Sequence, residues 1–212
     1  KMKKITKGSE PGELLDWKGL ANAEWQPTYN QLRGPIKKAV KKSLMFEQGF
    51  ICCYCERRLV NEDSHIEHFR PQSDPGCDPL DYNNLLCSCQ NQTGKGEPRH
   101  CGNLKDKWFD EQQLISPLAD TCEARFAYSG DGVIRPSDPR DQAAMITIKK
   151  LGLDIRKLND LRKKAVDPFL DAVLSDSEVG QFTAAYLRKD DEGRFGEFWT
   201  TIRYLFGARA GL

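Results

Sequence analysis

No stretch of this chain approaches the roughly 20 consecutive apolar residues that a membrane-spanning helix needs, so no membrane role is expected. The opening Lys1-Met2-Lys3-Lys4 carries no apolar signal-like segment, and the expected setting is cytoplasmic. Net charge is only +1, which lacks the basic bias of a free-standing DNA binder. Internal repeats and low-complexity tracts are missing too. Histidine is scarce, with three in 212 residues. What remains is an ordinary globular composition, 39% hydrophobic and 30% charged, long enough for one domain with a substantial core or two small ones.

Cysteine is not scarce. There are eight, and in a reducing compartment they argue against a disulfide framework. Cys52, Cys53, Cys55, Cys87, Cys89 and Cys101 fall within one fifty-residue stretch, together with all three histidines, His65, His68 and His100. Such clustering points to a metal site. Cys52 and Cys55 form a Cys-x-x-Cys pair, whose tight turn can present two thiolates to one tetrahedral zinc. Cys89 and Cys101, on either side of a polar loop holding Gly94 and Gly96, are expected to complete the set. Cys87 rivals Cys89, because Cys87-Ser88-Cys89 is too tight for both to join one site. Cys53, Cys77 and Cys122 read as packing residues. The plain alternative is a group of buried cysteines with no metal.

The fold class expected is α+β, mostly helical. Ile36, Val40 and Leu44 recur at helical spacing over 36–48, with Gly49 as a stop. From Phe50 to Lys107 the periodicity breaks up, as in a small module held by metal rather than by a large core. Residues 125–135 read as a β-hairpin turning at Ser129–Gly132. Asp138-Pro139 reads as a helix cap followed by proline, with the helix running to Leu151 and closed by Gly152. Leu158, Leu161, Ala165, Phe169 and Val173 stripe another helix, and 194–207 suggests a last one. This gives an N-terminal helical arm (1–48), a zinc-containing module (49–110), and a hairpin plus helical C-terminal region (111–212). The basic clusters Lys37, Lys38, Lys41, Lys42 and Arg156, Lys157, Arg162, Lys163, Lys164 read as solvated helix faces.

Between the two thiol pairs lies His65-Ile66-Glu67-His68-Phe69-Arg70-Pro71-Gln72-Ser73. Neighbours on a strand point to opposite faces. At a strand end, where a turn breaks that alternation, Glu67 and His68 can serve one site. Asp81-Tyr82-Asn83-Asn84-Leu85-Leu86 and His100-Cys101-Gly102-Asn103-Leu104-Lys105-Asp106 follow. The order acid-His, Asn, then His or Asn at a helix start is the spacing of an HNH motif. Phosphodiester hydrolysis needs a base, an activated water and a cation on the scissile phosphate. His68 is the expected base. Asn84 is expected to orient the imidazole through its side chain or a backbone contact. Glu67 and Asn103 are expected to hold Mg²⁺ or Mn²⁺.

These phrases, with Cys52-Cys53-Tyr54-Cys55 and Ser88-Cys89, resemble the PtuB-type HNH nuclease family of retron and Septu anti-phage systems. Outside the module, Lys4-Ile5-Thr6-Lys7-Gly8, Gly132-Val133-Ile134-Arg135-Pro136 and Leu151-Gly152-Leu153-Asp154 are also similar. The resemblance covers most of the chain and is strongest over 49–107. It implies an HNH (ββα-metal) core with a structural zinc, a PtuA-type ATPase partner, and in retrons a reverse transcriptase with its RNA–DNA product. It leaves DNA and RNA both open as substrates. The chain departs from the pattern at the last HNH position, often histidine, where Asn103 stands. A neutral oxygen there suits Mg²⁺ better than a softer metal. His100 is an alternative ligand, or a support beside Cys101. The rival class is a non-catalytic zinc ribbon that binds nucleic acid or protein, or a scaffold whose helical C-terminal half docks the ATPase.

Overall fold

A computed structural model describes residues 2–212 as an α+β chain with seven α-helices and four short strands among the described residues. Helix α1 (Gly12–Lys18) packs on α2 (Gly34–Glu47). Pro35 stands in the first turn of α2, where its missing N–H costs nothing. Val40 and Leu44 bury the expected stripe, and Gly49 ends the helix at φ 60°. Strand β1 (Ser64–His68) pairs antiparallel with β2 (Leu85–Cys89), in a register that sets His68 opposite Leu85 and Ser64 opposite Cys89. The short helix α3 (Cys101–Lys105) packs on β2, completing a ββα unit.

The expected hairpin is β3 (Phe126–Tyr128) with β4 (Ile134–Pro136), turning at Ser129–Gly132, where the Gly132 N–H donates to the Ser129 carbonyl at 2.9 Å. The following helix, α4 (Gln142–Leu151), closes on the left-handed Gly152 as anticipated. Its cap, however, is Asp141, which accepts from the Ala144 N–H at 2.9 Å and pairs with Arg125. Asp138 instead opens the preceding turn, taking the Arg140 N–H on its side chain. Helix α5 (Arg156–Val166) is also shorter than its stripe suggests. Pro168 lacks the N–H needed to continue it, the chain tightens into a 3₁₀ turn, and Val173 lies exposed beyond. Two helices finish the chain, α6 (Asp176–Tyr186) with a Ser175–Glu178 capping box, and α7 (Trp199–Phe206).

The main core draws residues from Met2 to Leu158, so the N-terminal helices, the ββα unit and the β3–β4 hairpin share one interior. A second cluster (Val166, Phe169, Val179, Trp199, Ile202, Phe206) joins α5, α6 and α7, and reaches the ββα region through Ile51. Glu56 ties the two together. Its buried carboxylate accepts from the Lys3 N–H (2.9 Å), the Thr200 N–H (2.8 Å) and the Thr200 hydroxyl (2.6 Å). No helix is long and apolar enough to cross a membrane among the described residues.

Candidate active site and metal centre

The turn before β1 folds back on itself, with Ile51 bridging Arg58 and the Cys52 N–H donating to the Arg57 carbonyl at 2.8 Å. That turn presents Cys52 and Cys55. The end of β2 supplies Cys89 and the start of α3 supplies Cys101. Their four sulfurs lie within 4.8 Å of one another, all buried. Four thiolates each 2.3 Å from a central tetrahedral ion sit about 3.8 Å apart, and Cys55 Sγ and Cys89 Sγ are 3.6 Å apart. The donor set therefore fits zinc. Glu56 and Gln90, each directly after a sulfur donor, take left-handed backbones at φ 64° and 63°. Cys101 itself does so at 56°. Non-glycine residues rarely hold such conformations unless their surroundings impose them. His100 stands against the cluster, its Nδ1 3.1 Å from Cys101 Sγ and 3.8 Å from Cys89 Sγ. Cys87 lies outside the cluster. Burial pushes its thiol up to about 12, and Gln48 brackets its backbone with hydrogen bonds of 2.8 and 2.7 Å.

Beside this cluster, a cavity of about 310 Å³ opens where β1 meets α3, lined by His65, Glu67, His68, Gln72 and Gly102 among others. Glu67 and His68 thus reach one cavity despite being neighbours on a strand, because β1 ends at His68 and the chain turns away over Pro71–Asp74. Glu67 is only 6% exposed. Its Oε1 accepts from the Lys105 ammonium at 2.9 Å and the Tyr54 hydroxyl at 3.1 Å, while Oε2 lies 3.5 Å from His65 Nε2. Burial opposes ionisation of this carboxyl, but His65 and Lys105 override it and hold Glu67 below the usual carboxylate range.

His68 has a defined tautomer. Its Nε2 lies 3.0 Å from the Pro79 carbonyl, which can only accept. Nε2 therefore carries the proton, and the lone pair is on Nδ1, 3.4 Å from the Gln72 amide. Burial lowers the pKa of His68, keeping the imidazole neutral near pH 7. The Tyr29 ring packs edge-on against it with centroids 4.4 Å apart. A neutral imidazole on the cavity wall, with Nε2 anchored and Nδ1 met only by the long contact to the Gln72 amide, is fit to take a proton.

The remaining residues of the motif lie elsewhere. The side-chain hydrogen bonds of Asn84 go to the backbone after His68 and to Cys77 rather than to the imidazole. Its side chain accepts from the Arg70 N–H at 2.8 Å and donates to the Arg70 carbonyl at 2.9 Å, and its own carbonyl accepts from the Phe69 N–H at 3.0 Å. It braces the backbone that follows His68. Asn103 is not among the cavity-lining residues, and its amide donates to the Gln90 carbonyl at 3.1 Å. Gly102 faces the carboxylate instead, so close that a Cβ there would lie 2.4 Å from Glu67 Oε2. Sequence reasoning gave no individual role to His65, Gly102 or Lys105, and it read Tyr54 as a core residue or a base-stacking one rather than a partner of Glu67. Period-two alternation puts His65 on the Glu67 face of β1, and that signal was available.

No known family profile matches the chain. It is 30% identical over 139 residues to a protein of Vibrio cholerae serotype O1 biovar El Tor named "Retron Vc95 putative HNH endonuclease", covering 62% of this chain and 65% of that one. It is 33% identical over 127 residues to an Escherichia coli protein named "Retron Ec83 putative HNH endonuclease", covering 53% and 49%. The chain thus spans between half and two thirds of the length of the curated relatives it matches.

Proposed function

We propose that this protein is a metal-dependent HNH endonuclease that hydrolyses nucleic-acid phosphodiester bonds in a retron-associated defence system. The observation that carries the reading is the convergence of Glu67 and a tautomer-fixed, neutral His68 on one cavity of a ββα unit, next to four clustered thiols. The names of the two relatives support it. Zinc on Cys52, Cys55, Cys89 and Cys101 would clamp the turn before β1, the end of β2 and the start of α3, so that the catalytic groups hold their places. Such a thiolate site suits a reducing, cytoplasmic setting.

In the reaction, His68 Nδ1 takes a proton from water as the water oxygen attacks phosphorus. The bond from phosphorus to the leaving sugar oxygen breaks, that oxygen takes up a proton from solvent water, and His68 returns its own proton to solvent. A hard divalent cation, Mg²⁺ or Mn²⁺, would neutralise charge on the scissile phosphate and the leaving oxygen. Glu67 Oε2 would hold it in place of its 3.5 Å contact with His65 Nε2, with the bare backbone of Gly102 beside it. Asn103 joins that site only if its amide leaves Gln90. Asn84 acts one step back, by fixing the turn after His68. Lys105 keeps Glu67 ionised and also donates to the His68 carbonyl at 3.0 Å. The PtuB-type resemblance adds a PtuA-type ATPase, and a retron reverse transcriptase with its RNA–DNA product, as partners.

Two observations favour the rival, non-catalytic reading: Lys105 already occupies Glu67 Oε1, and the Asn103 amide is bonded to the Gln90 carbonyl. A single experiment separates the two. The chain, purified with its operon neighbours, is incubated with labelled DNA and RNA plus Mg²⁺ or Mn²⁺, beside His68→Ala. Cleavage that His68→Ala abolishes, with zinc content unchanged, is expected. Cleavage by His68→Ala at the parental rate would sink the assignment.

A further inference from the structure

A second cavity, of about 810 Å³, is larger than the one at Glu67 and His68. It lies where the N-terminal segment, α2 and the turn before α7 meet, and five lysines (Lys3, Lys4, Lys7, Lys42, Lys189) line it against two glutamates, Glu13 and Glu47. That is a local excess of positive charge in a chain of net charge +1. The lysines are not equivalent. Lys7 bonds Glu47 at 2.8 Å, Lys3 faces Glu123 at 3.8 Å, and Lys4 pairs with Asp120. Lys42 and Lys189 are exposed and have no carboxylate partner among the described residues.

Between those two cations stands Phe46, 58% exposed, on the last turn of α2 and one helical turn beyond Lys42. The Lys189 ammonium lies 5.4 Å from the Phe46 centroid and 5.0 Å from that of Phe195. Gly193, at φ 76°, brings the Asp190–Arg194 turn against one side of the Phe46 ring, where a Cβ would lie 3.3 Å from Cε2. The ring is thus held out to solvent by a close turn, with the Lys189 ammonium over it and Lys42 one helical turn back.

The basic helix face predicted from sequence is therefore divided. Lys41 is spent on the carbonyls of Asn61 (2.6 Å) and Ser64 (2.5 Å), and Lys37 lies over Tyr29, while Lys42 faces the groove.

We propose that this groove binds single-stranded nucleic acid, with a base stacked on Phe46 and backbone phosphates on Lys42 and Lys189. Exposed rings give sequence-tolerant stacking, and lysines follow the phosphates. A duplex keeps its bases in its own stack and cannot offer one to Phe46, so single strands are favoured. The groove is distinct from the cavity at His68, though linked to its scaffold: Lys7 also donates to the carbonyl of Leu85, the residue opposite His68 across the sheet, at 3.2 Å.

The test uses the full chain carrying His68→Ala, without added divalent cation, so that binding is read without cleavage. Fluorescence anisotropy is measured with labelled 15-nucleotide DNA, RNA of the same sequence, and the DNA duplex, across a salt series. Lys42→Glu with Lys189→Glu is expected to weaken single-strand binding at least tenfold and to flatten the log–log salt slope by about 1.4. Phe46→Ala is expected to weaken it roughly 5- to 150-fold, the worth of one stacked base. The control pair Lys149→Glu with Lys164→Glu makes the same charge change on exposed positions outside the groove and is expected to have a small effect. Equal losses from groove and control pairs, a duplex bound as well as the single strand, or no binding of either strand would each overturn the proposal. Cleavage by the parental chain, purified with its operon neighbours and given Mg²⁺ or Mn²⁺, is assayed in parallel. Catalysis with groove-independent binding refutes this site alone, and groove-dependent binding without catalysis refutes the nuclease reading alone.

Discussion

Gly102→Ala adds one methyl group at the most crowded point of the candidate active site. Gly102 does not have a positive φ, so glycine is not there for its backbone freedom. Space is the reason, since a Cβ would lie 2.4 Å from Glu67 Oε2, 2.9 Å from its Cδ and 2.9 Å from His65 Nε2. Ordinary contact begins near 3.4 Å, so the carboxylate would have to retreat by about 1 Å. It has little freedom to do so, being tied to Lys105 and Tyr54 in a nearly closed interior. Two costs follow. If the Lys105–Glu67 pair breaks, about 3–5 kcal/mol is lost, offset by up to about 1 kcal/mol from the better helix propensity of alanine. A net loss of about 2–4 kcal/mol is expected in urea unfolding. If the pair survives by shifting, a displacement of about 1 Å at a catalytic group costs about 100-fold in rate. Zinc content should stay near one per chain, because Cys101 is untouched. Unfolding curves, elemental analysis and cleavage with Mg²⁺ measured on one preparation separate these terms. A Gly102→Ala chain with parental stability and parental cleavage would refute the claim that Glu67, seated against α3, is the working carboxylate.

Further substitutions probe the remaining parts. Cys52→Ser should lose zinc and leave the chain insoluble or unfolded at 37 °C, read by elemental analysis and solubility. Glu67→Ala should lose cleavage through weakened cation binding, with partial recovery at raised Mg²⁺; if recovery is complete, Glu67 has no role beyond the cation. Manganese titration followed by electron paramagnetic resonance should show weaker binding in His65→Ala than in Asn103→Ala, and the reverse order would return the second ligand to α3 through Asn103. Arg162→Met removes the only buried guanidinium among the described residues, which donates to the carbonyls of Gly132 (2.9 Å) and Leu153. Each acceptor left bare costs ~1–3 kcal/mol, so unfolding should show a loss of at least ~2 kcal/mol.

Much of the fold was legible because its signals are local. The Val40–Leu44 stripe, the Ser129–Gly132 turn and the left-handed Gly152 each depend on a few neighbouring residues. The misplacements arose where two local signals competed. Asp138-Pro139 and Asp141 both offer a cap, and the choice went to Asp141 because Arg125, sixteen residues away, holds its carboxylate in place. The apolar stripe of α5 continues past Pro168, but the backbone does not. Helix α6 was not anticipated, although Ser175-x-x-Glu178 is a capping box visible in the sequence.

The site was legible in its parts but not in its phase. Clustered cysteines and the Glu67-His68 pair needed only composition and order to be noticed. Which residue of α3 faces Glu67 needs the helix rotation, about 100° per residue. Cys101 itself takes a left-handed backbone, so the count starts at Gly102: Lys105, three residues on, lies about 60° from it round the helix, and Asn103 about 100° from it the other way. Gly102 and Lys105 therefore share one side of α3, where the structure places Lys105 Nζ on Glu67 and Gly102 beneath it. Asn103 is turned off that side and finds the Gln90 carbonyl instead. A motif read as an ordered list of residue types puts an acid, a histidine and an asparagine in one site. Read on a helix whose first residue is already a thiol donor, the same letters leave α3 to supply the space and the positive charge that keep Glu67 ionised, and put His65, not Asn103, against the carboxylate.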